Sequence, residues 1–239
     1  CTKLVKDPKN ILITGDSNQS IYGGDMSWVE VSGGRLNFTG KSKILRRNYR
    51  STAEIALGLQ PITQRMAESD STTLESDLVY HGDEPALASY RSIDEEAHII
   101  SRYLFDALAK ERLAPRCAAV LVRTNRKAKD LEARLDRRLG AKAMKSSTAD
   151  IGYPGVKVMT IHSAKGLQFP VVAVSGLAHG EFPRRAKGDE DLADVDTQER
   201  KLFFVGCTRA MRRLLITYDY ESPSQFIDEL NADDWDEFT

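Results

Sequence analysis

Short apolar runs alternate with longer amphipathic stretches along the chain, and their spacing predicts most of its elements. ILITG (11–15) is an apolar run closed by Gly-Asp, the pattern of a buried strand opening into a loop. KILRRNYR (43–50) reads as another strand. Ser51 or Thr52 can cap a helix with Glu54 in its first turn, and Pro61 restarts that helix near its middle. Residues 68–85 are polar, with turn signals in HGDEP (81–85), and read as an exposed connection. ALASYRS (86–92) predicts a strand. Ser92 and Asp94 are candidate caps for a helix of about 94–112, with Ile99, Ile100, Tyr103, Leu104 and Leu108 on one stripe. CAAVLVRT (117–124) predicts the next strand, and KAKDLEARLDRRLG (127–140) a helix closed by Gly140. VKVMTIH (156–162) and PVVAVSGL (170–177) are two further strands, 197–212 a helix, and RLLITYD (213–219) a final strand. The acidic stretch 228–239 is expected to be a partly disordered tail.

Strands alternating with helices give an α/β class with a doubly wound, mainly parallel sheet and flanking helices. The Gly- and Ser-rich stretch 23–42 is the best boundary signal. Residues 1–42 are therefore expected to belong to a neighbouring domain, 43–222 to form the α/β domain, and 223–239 to be an acidic tail. A length of 239 residues fits one large domain or two small ones, and 41% hydrophobic residues suffice for an ordinary core. No apolar run reaches the length of a membrane span and no signal-peptide pattern is present, so no membrane partner is expected. Cys1, Cys117 and Cys207 lie far apart without metal spacing, which points to buried thiols in a reducing, cytoplasmic compartment. The chain opens on Cys1, only a few residues before a strand, as expected of a fragment. A net charge of −1 announces no nucleic acid. The charge is uneven, however, with basic runs at 43–50, 123–145 and 209–213, and acidic ones at 189–199 and 228–237. The ordinary reading of such runs is solvated helix faces.

Phosphoryl transfer from a nucleoside triphosphate needs a phosphate cradle, Mg²⁺ ligands, a positioned water and cations for the developing charge. Gly40-Lys41-Ser42 imitates the end of a cradle but fails on spacing, because Arg35 stands five before Gly40, and a strand rather than a helix follows. No acidic pair follows a strand as a Mg²⁺ site would require. This chain alone is not expected to hydrolyse ATP, and it carries no candidate metal ligands.

Four segments stand in a telling order: ILITGDSNQSIY (11–22), ILRRNYRST (44–52), VKVMTIHSAKGLQF (156–169) and LFFVGCTRA (202–210). Each joins an apolar run to a polar cluster, the pattern of a buried strand delivering side chains at its end, where open α/β sheets bind ligands. Their order and wording resemble superfamily 1 DNA helicases of the UvrD/Rep type. The resemblance implies a RecA-like second motor domain whose ATP-cradling partner, with the Mg²⁺ ligands, lies in the first motor domain of the parent chain. It implies that Gln19 senses the γ-phosphate, Tyr49 stacks on adenine, Arg50 binds the γ-phosphate, and Arg209 acts as an arginine finger. Stacking on an aromatic face and bidentate guanidinium–phosphate pairing suit those roles. Gln168 would touch the nucleotide ribose. Thr160, His162 and Ser163 would contact single-stranded DNA, with Lys165 and Gly166 shaping the loop. LVRTNRKAK (121–129) resembles a weaker motif in which Arg123 and Asn125 reach the DNA backbone. Contacts of that kind give affinity without sequence choice.

Three features depart from the family pattern. Gln168 stands where the family usually has Glu. Gly24 and Asp25 stand where it commonly has an aromatic-Arg pair for base stacking, leaving Tyr22 or Trp28 as substitutes. Only about thirty residues separate the VRTN-like and TIHSAKG motifs, too few for the large insertion domain of bigger relatives, so the chain resembles a compact member. The leading expectation is the C-terminal part of an ATP-dependent helicase or translocase acting on single-stranded DNA. A helicase–nuclease subunit would need a further acidic cluster beyond the last strand. A non-enzymatic adaptor that binds nucleic acid or a protein partner is the remaining alternative.

Overall fold

The computed structural model describes residues 51–66, 80–144 and 152–239. The segments carrying Gln19, Tyr22, Tyr49 and Arg50, the Gly24-Asp25 departure and most of the polar connection 68–85 lie outside the described residues. In chain order the elements are α1 (Ala53–Gly58), α2 (Gln60–Met66), β1 (Ala86–Tyr90), α3 (Ile93–Glu111), β2 (Ala118–Val122), α4 (Asn125–Glu132), β3 (Lys142–Ala143), β4 (Lys157–Thr160), β5 (Phe169–Leu177), α5 (Leu192–Cys207), β6 (Ala210–Asp219), α6 (Gln225–Asp228) and β7 (Asp236–Glu237). The seven strands form one sheet in the order β3-β4-β2-β5-β6-β1-β7, and every pairing is parallel.

Burial on both faces explains why the central strands read as continuous apolar runs. In β2, Ala118, Val120 and Val122 pack under α3 and α4, while Ala119 and Leu121 face the opposite core formed with α1, α2 and α5. The doubly wound α/β architecture is therefore as the alternation of strands and helices predicts. The Ser92 hydroxyl caps α3 by accepting from the Glu95 N–H at 3.2 Å, and Ile100, Tyr103, Leu104 and Leu108 are buried along its stripe. Thr52 holds the N-cap position of α1 without a side-chain cap bond, and Pro61 lies in the first turn of the restarted helix α2.

Three expectations are corrected. The helix expected to run to Gly140 ends at Glu132. A separate 3₁₀ turn, Arg137–Leu139, then precedes Gly140, which closes it at φ 57°. Asp136 causes the break, because its carboxylate accepts from the Arg138 N–H at 2.7 Å and starts a new turn. Next, the helix expected over 197–212 spans 192–207, so LFFVGC is helical, Thr208 and Arg209 form a turn, and AMRR is strand. Ala210 pairs with Phe169 and Arg213 with Val171. Arg212 and Arg213 are held in this extended geometry by Glu111, at 3.1 and 2.9 Å.

The third correction concerns the acidic tail, which is packed rather than disordered. Trp235 is buried and donates its indole N–H to the Gly58 carbonyl at 3.2 Å, while β7 pairs with β1. The Phe238 ring sits edge-on to Tyr103 at 5.2 Å. Asp233, Asp236 and Glu237 are exposed beside these aromatic anchors, while Glu229 turns inward to pair with Arg200.

Candidate functional site

At the carboxyl ends of β2 and β4, two polar segments leave the sheet side by side. Val122 pairs with Thr160, and the Ile161 N–H bonds the Val122 carbonyl at 3.0 Å. Arg123, Asn125, Thr160, His162 and Ser163 therefore share one sheet edge. Thr160 is buried, and its hydroxyl lies 2.8 Å from the Ser163 hydroxyl and accepts from the Ser163 N–H at 3.2 Å. That hydroxyl shapes the turn that presents Ser163, a role that favours Thr at the strand end. Asn125 is exposed at the first position of α4, behind the Thr124 cap.

His162 is half-buried, and burial lowers its pKa below the ordinary histidine value. The Arg123 charge lowers it further, and the Glu199 carboxylate partly offsets both. Burial and the Arg123 charge thus favour the neutral imidazole. Arg123 pairs side-on with Glu199, Nε to Oε2 at 2.8 Å and Nη2 to Oε1 at 2.6 Å. Glu199, only 4% exposed, also accepts from the Arg184 N–H at 3.3 Å, and the Arg184 Nε lies 3.7 Å from its Oε1.

A second polar cluster lies beneath the same edge. Glu96, on the buried stripe of α3, accepts from Ser175 Oγ at 2.6 Å and Thr217 Oγ1 at 2.7 Å, with the Lys127 ammonium at 2.5 Å. It ties α4 to the ends of β5 and β6, and so fixes the helix start that carries Asn125.

Gln168 and Arg209 lie elsewhere. Ser175, level with Thr160 through Val122, is six residues along β5 from Phe169. The two groups are thus about 20 Å apart along the strand direction. Arg209 lies between α5 and β6 at the amino-terminal end of the sheet, so it does not stand inside a helix as the sequence predicts. It is 3% exposed, and its Nε donates to the Val205 carbonyl at 3.0 Å and its Nη1 to the Leu167 carbonyl at 3.3 Å. Its own carbonyl accepts from the Phe169 N–H at 3.0 Å. Gln168 is exposed beside it.

Residues 161–168 run from one group to the other across the face covered by α5. Gly206 permits that passage, since a Cβ there would meet the Ile161 side chain at 3.0 Å. Among the described residues no group of His, Cys, Asp and Glu could hold a metal ion, and no helix is long and apolar enough to cross a membrane.

Sequence reasoning passed over Glu96, Lys127, Arg184 and Glu199. The signal for the two carboxylates was present, because each interrupts a buried helical stripe: Glu96 before Ile100 and Tyr103, Glu199 before Leu202, Phe203 and Gly206.

Residues 138–221 match the UvrD-like helicase C-terminal domain. The PcrA ATP-dependent DNA helicase of Leuconostoc citreum is 42% identical over 108 residues, covering 40% of this chain and 14% of that protein. DNA helicase II of Escherichia coli K12 is 42% identical over 92 residues, covering 34% and 12%. The Escherichia coli Rep helicase is 39% identical over 89 residues, covering 33% and 13%. The aligned part thus spans 12–14% of the length of these relatives. Among solved structures, the C-terminal domain of a possible DNA helicase from Lactobacillus plantarum WCFS1 shares the fold, with a TM-score of 0.59 and 21% identity over 80% of this chain and 99% of that one. The span matched as UvrD-like includes Thr160, His162, Ser163, Gln168, Glu199 and Arg209, while Arg123 and Asn125 precede it.

Proposed function

We propose that this chain is the second motor domain, residues 43–222, of a compact ATP-dependent superfamily 1 translocase acting on single-stranded DNA. Residues 1–42 would close the first motor domain, which supplies the phosphate cradle and the Mg²⁺ ligands. The carrying observation is the two-ended placement of the motif residues. Arg123, Asn125, Thr160, His162 and Ser163 share the carboxyl edge of the sheet, and Gln168 with Arg209 shares the opposite end. One continuous segment, 160–168, joins them.

In this reading ATP binds between the two motor domains. Gln19, Tyr49, Arg50, Gln168 and Arg209 serve the nucleotide, and the carboxyl-edge residues, with Tyr22, serve the strand. Arg209 reaches a γ-phosphate by giving up its 3.3 Å bond to the Leu167 carbonyl. Nucleotide engagement thereby acts on the segment that carries His162 and Ser163, a gating by differential contacts in two states. Gln168 keeps hydrogen-bonding capacity toward a ribose hydroxyl but brings no charge.

The test is single-strand-stimulated ATP hydrolysis by the longer parent polypeptide, beside its Arg209→Ala variant. Strong stimulation in the parent and a loss of about a thousandfold in the variant are expected. A folded, DNA-binding parent without hydrolysis would overturn the motor reading and leave the adaptor. Arg209 bonds two buried carbonyls, so the variant must first be shown to melt cooperatively.

A further inference from the structure

Loops leaving the carboxyl edge of adjacent strands β2 and β5 converge on one buried carboxylate supplied by α5. Arg123 follows β2 and pairs with Glu199 side-on at 2.8 and 2.6 Å. Arg184, in the loop after β5, donates its backbone N–H to the same carboxylate at 3.3 Å. His162 follows β4 at the same sheet edge, its pKa lowered by burial and by the Arg123 charge and raised in part by Glu199. We propose that Glu199 is a positioning residue for single-stranded DNA, fixing Arg123 so that its outward edge meets a backbone phosphate. The inference rests on the single-strand reading above.

The geometry favours this role over a plain structural ion pair. A guanidinium carries five N–H donors in a rigid plane, and the side-on pairing uses one donor on Nε and one on Nη2. The Nη1 edge and the second Nη2 donor lie on the far side from Glu199. The Arg123 side chain is 21% exposed while that of Glu199 is 5% exposed, so the carboxylate backs the guanidinium from the protein side. A phosphate approaching from solvent meets the opposite edge, with Asn125 and the Ser163 hydroxyl on the same sheet edge. An unbacked arginine would lose rotamer freedom on meeting a phosphate, and a fixed one loses less. Arg184 contributes less to the strand, because its guanidinium is bound by Glu190 at 2.6 and 3.0 Å.

The test uses the full 239-residue chain and a fluorescein-labelled oligothymidylate, with anisotropy followed across a salt series. Glu199→Gln should weaken binding about tenfold, the order of one charge-assisted hydrogen bond. It should also flatten the log–log salt slope by about 0.7, the value of one single-strand phosphate. Arg123→Ala should do the same, and the double variant should bind no more weakly than either single one. A purely structural carboxylate predicts multiplied losses, which would overturn the proposal, as would wild-type affinity in Glu199→Gln. Should Glu199→Gln fail to melt cooperatively, Glu199→Asp decides, since it keeps the charge but shortens the reach by one methylene. Weakened binding with the shallower slope is then expected, and unchanged binding overturns the role. A wild-type chain that does not bind the probe even at low salt overturns the single-strand reading itself and this inference with it.

Discussion

Replacing Glu96 by alanine removes the acceptor on which four elements meet. The carboxylate is fully buried, takes hydrogen bonds from Ser175 at 2.6 Å and Thr217 at 2.7 Å, and lies 2.5 Å from the Lys127 ammonium. Without it, a lysine whose side chain is only 18% exposed keeps its charge with no carboxylate beside it. Breaking a buried pair from one side costs roughly 3–5 kcal/mol. Each buried hydroxyl left without an acceptor could add about 1–3 kcal/mol. Both hydroxyls can rotate, however, and Lys127 can lean toward solvent while keeping its contact with the Tyr90 ring at 5.2 Å. These relaxations hold the total near the lower end, at about 3–4 kcal/mol. Glu96→Gln keeps one oxygen for both hydroxyls and loses only the charge, so it should cost about half as much.

The assay is equilibrium urea unfolding followed by tryptophan fluorescence, since Trp235 is buried against Gly58. Domains of this kind have about 5–15 kcal/mol of stability in total, so Glu96→Ala should move the midpoint far while leaving the slope unchanged. Because α4 starts at Asn125 and is tied down through Lys127, the same variant should also weaken oligothymidylate binding. A stability loss below about 1 kcal/mol would refute the reasoning. It would mean that Ser175, Thr217 and Lys127 find other partners at little cost.

Two further outcomes are expected. Trp235→Ala should cost roughly 3–5 kcal/mol and expose residues beyond Tyr220 to limited proteolysis; an unchanged melt and cleavage pattern would show that the tail is dispensable to the core. His162 should titrate below the ordinary histidine range by NMR, because burial and the Arg123 charge both favour the neutral ring. Glu199→Gln removes the opposing carboxylate and should lower that pKa further, whereas Arg123→Ala should raise it. The folded-state pKa is depressed, so this histidine's contribution to stability is complete above about pH 6.5. It is lost as the pH falls from there toward the folded pKa. A pKa at or above the ordinary value would overturn the assignment of its surroundings.

Much of the fold was legible because its strands are buried on both faces and so carry no competing pattern. AAVLV, KVMT and FPVVAVSGL admit only a covered sheet. What misled was local. RAMRR looks helical, being basic and unbranched, but Glu111 and the β5 register hold its AMRR part extended. DLEARLDRRLG keeps helical spacing, but Asp136 turns its carboxylate onto its own backbone and ends the run. The final segment reads as solvated because Asp and Glu dominate its composition, yet Phe226 and Trp235 join the core on one face of the sheet and Phe238 packs on the other. Composition averages over residues, whereas burial is decided by the few that point inward.

Glu96 and Glu199 carry the same lesson into the candidate site. An acidic residue at one position of an otherwise apolar helical stripe cannot be solvated without rotating the whole helix, which would expose several large side chains. Each such exposure costs about 1.5–3 kcal/mol, more than a well-paired carboxylate loses on burial. The helix therefore stays and the carboxylate acquires partners. In α3 those partners are two hydroxyls and Lys127, and in α5 they are Arg123 and the Arg184 amide. Both sets lie at the carboxyl edge of the sheet. Glu199 is also eight residues before Cys207, about 12 Å along the helix, whose end adjoins Arg209. A shift of α5 driven at Arg209 would therefore reach the carboxylate that holds Arg123. Coupling between the two ends then needs no relay beyond one rigid helix and the 160–168 segment packed against it.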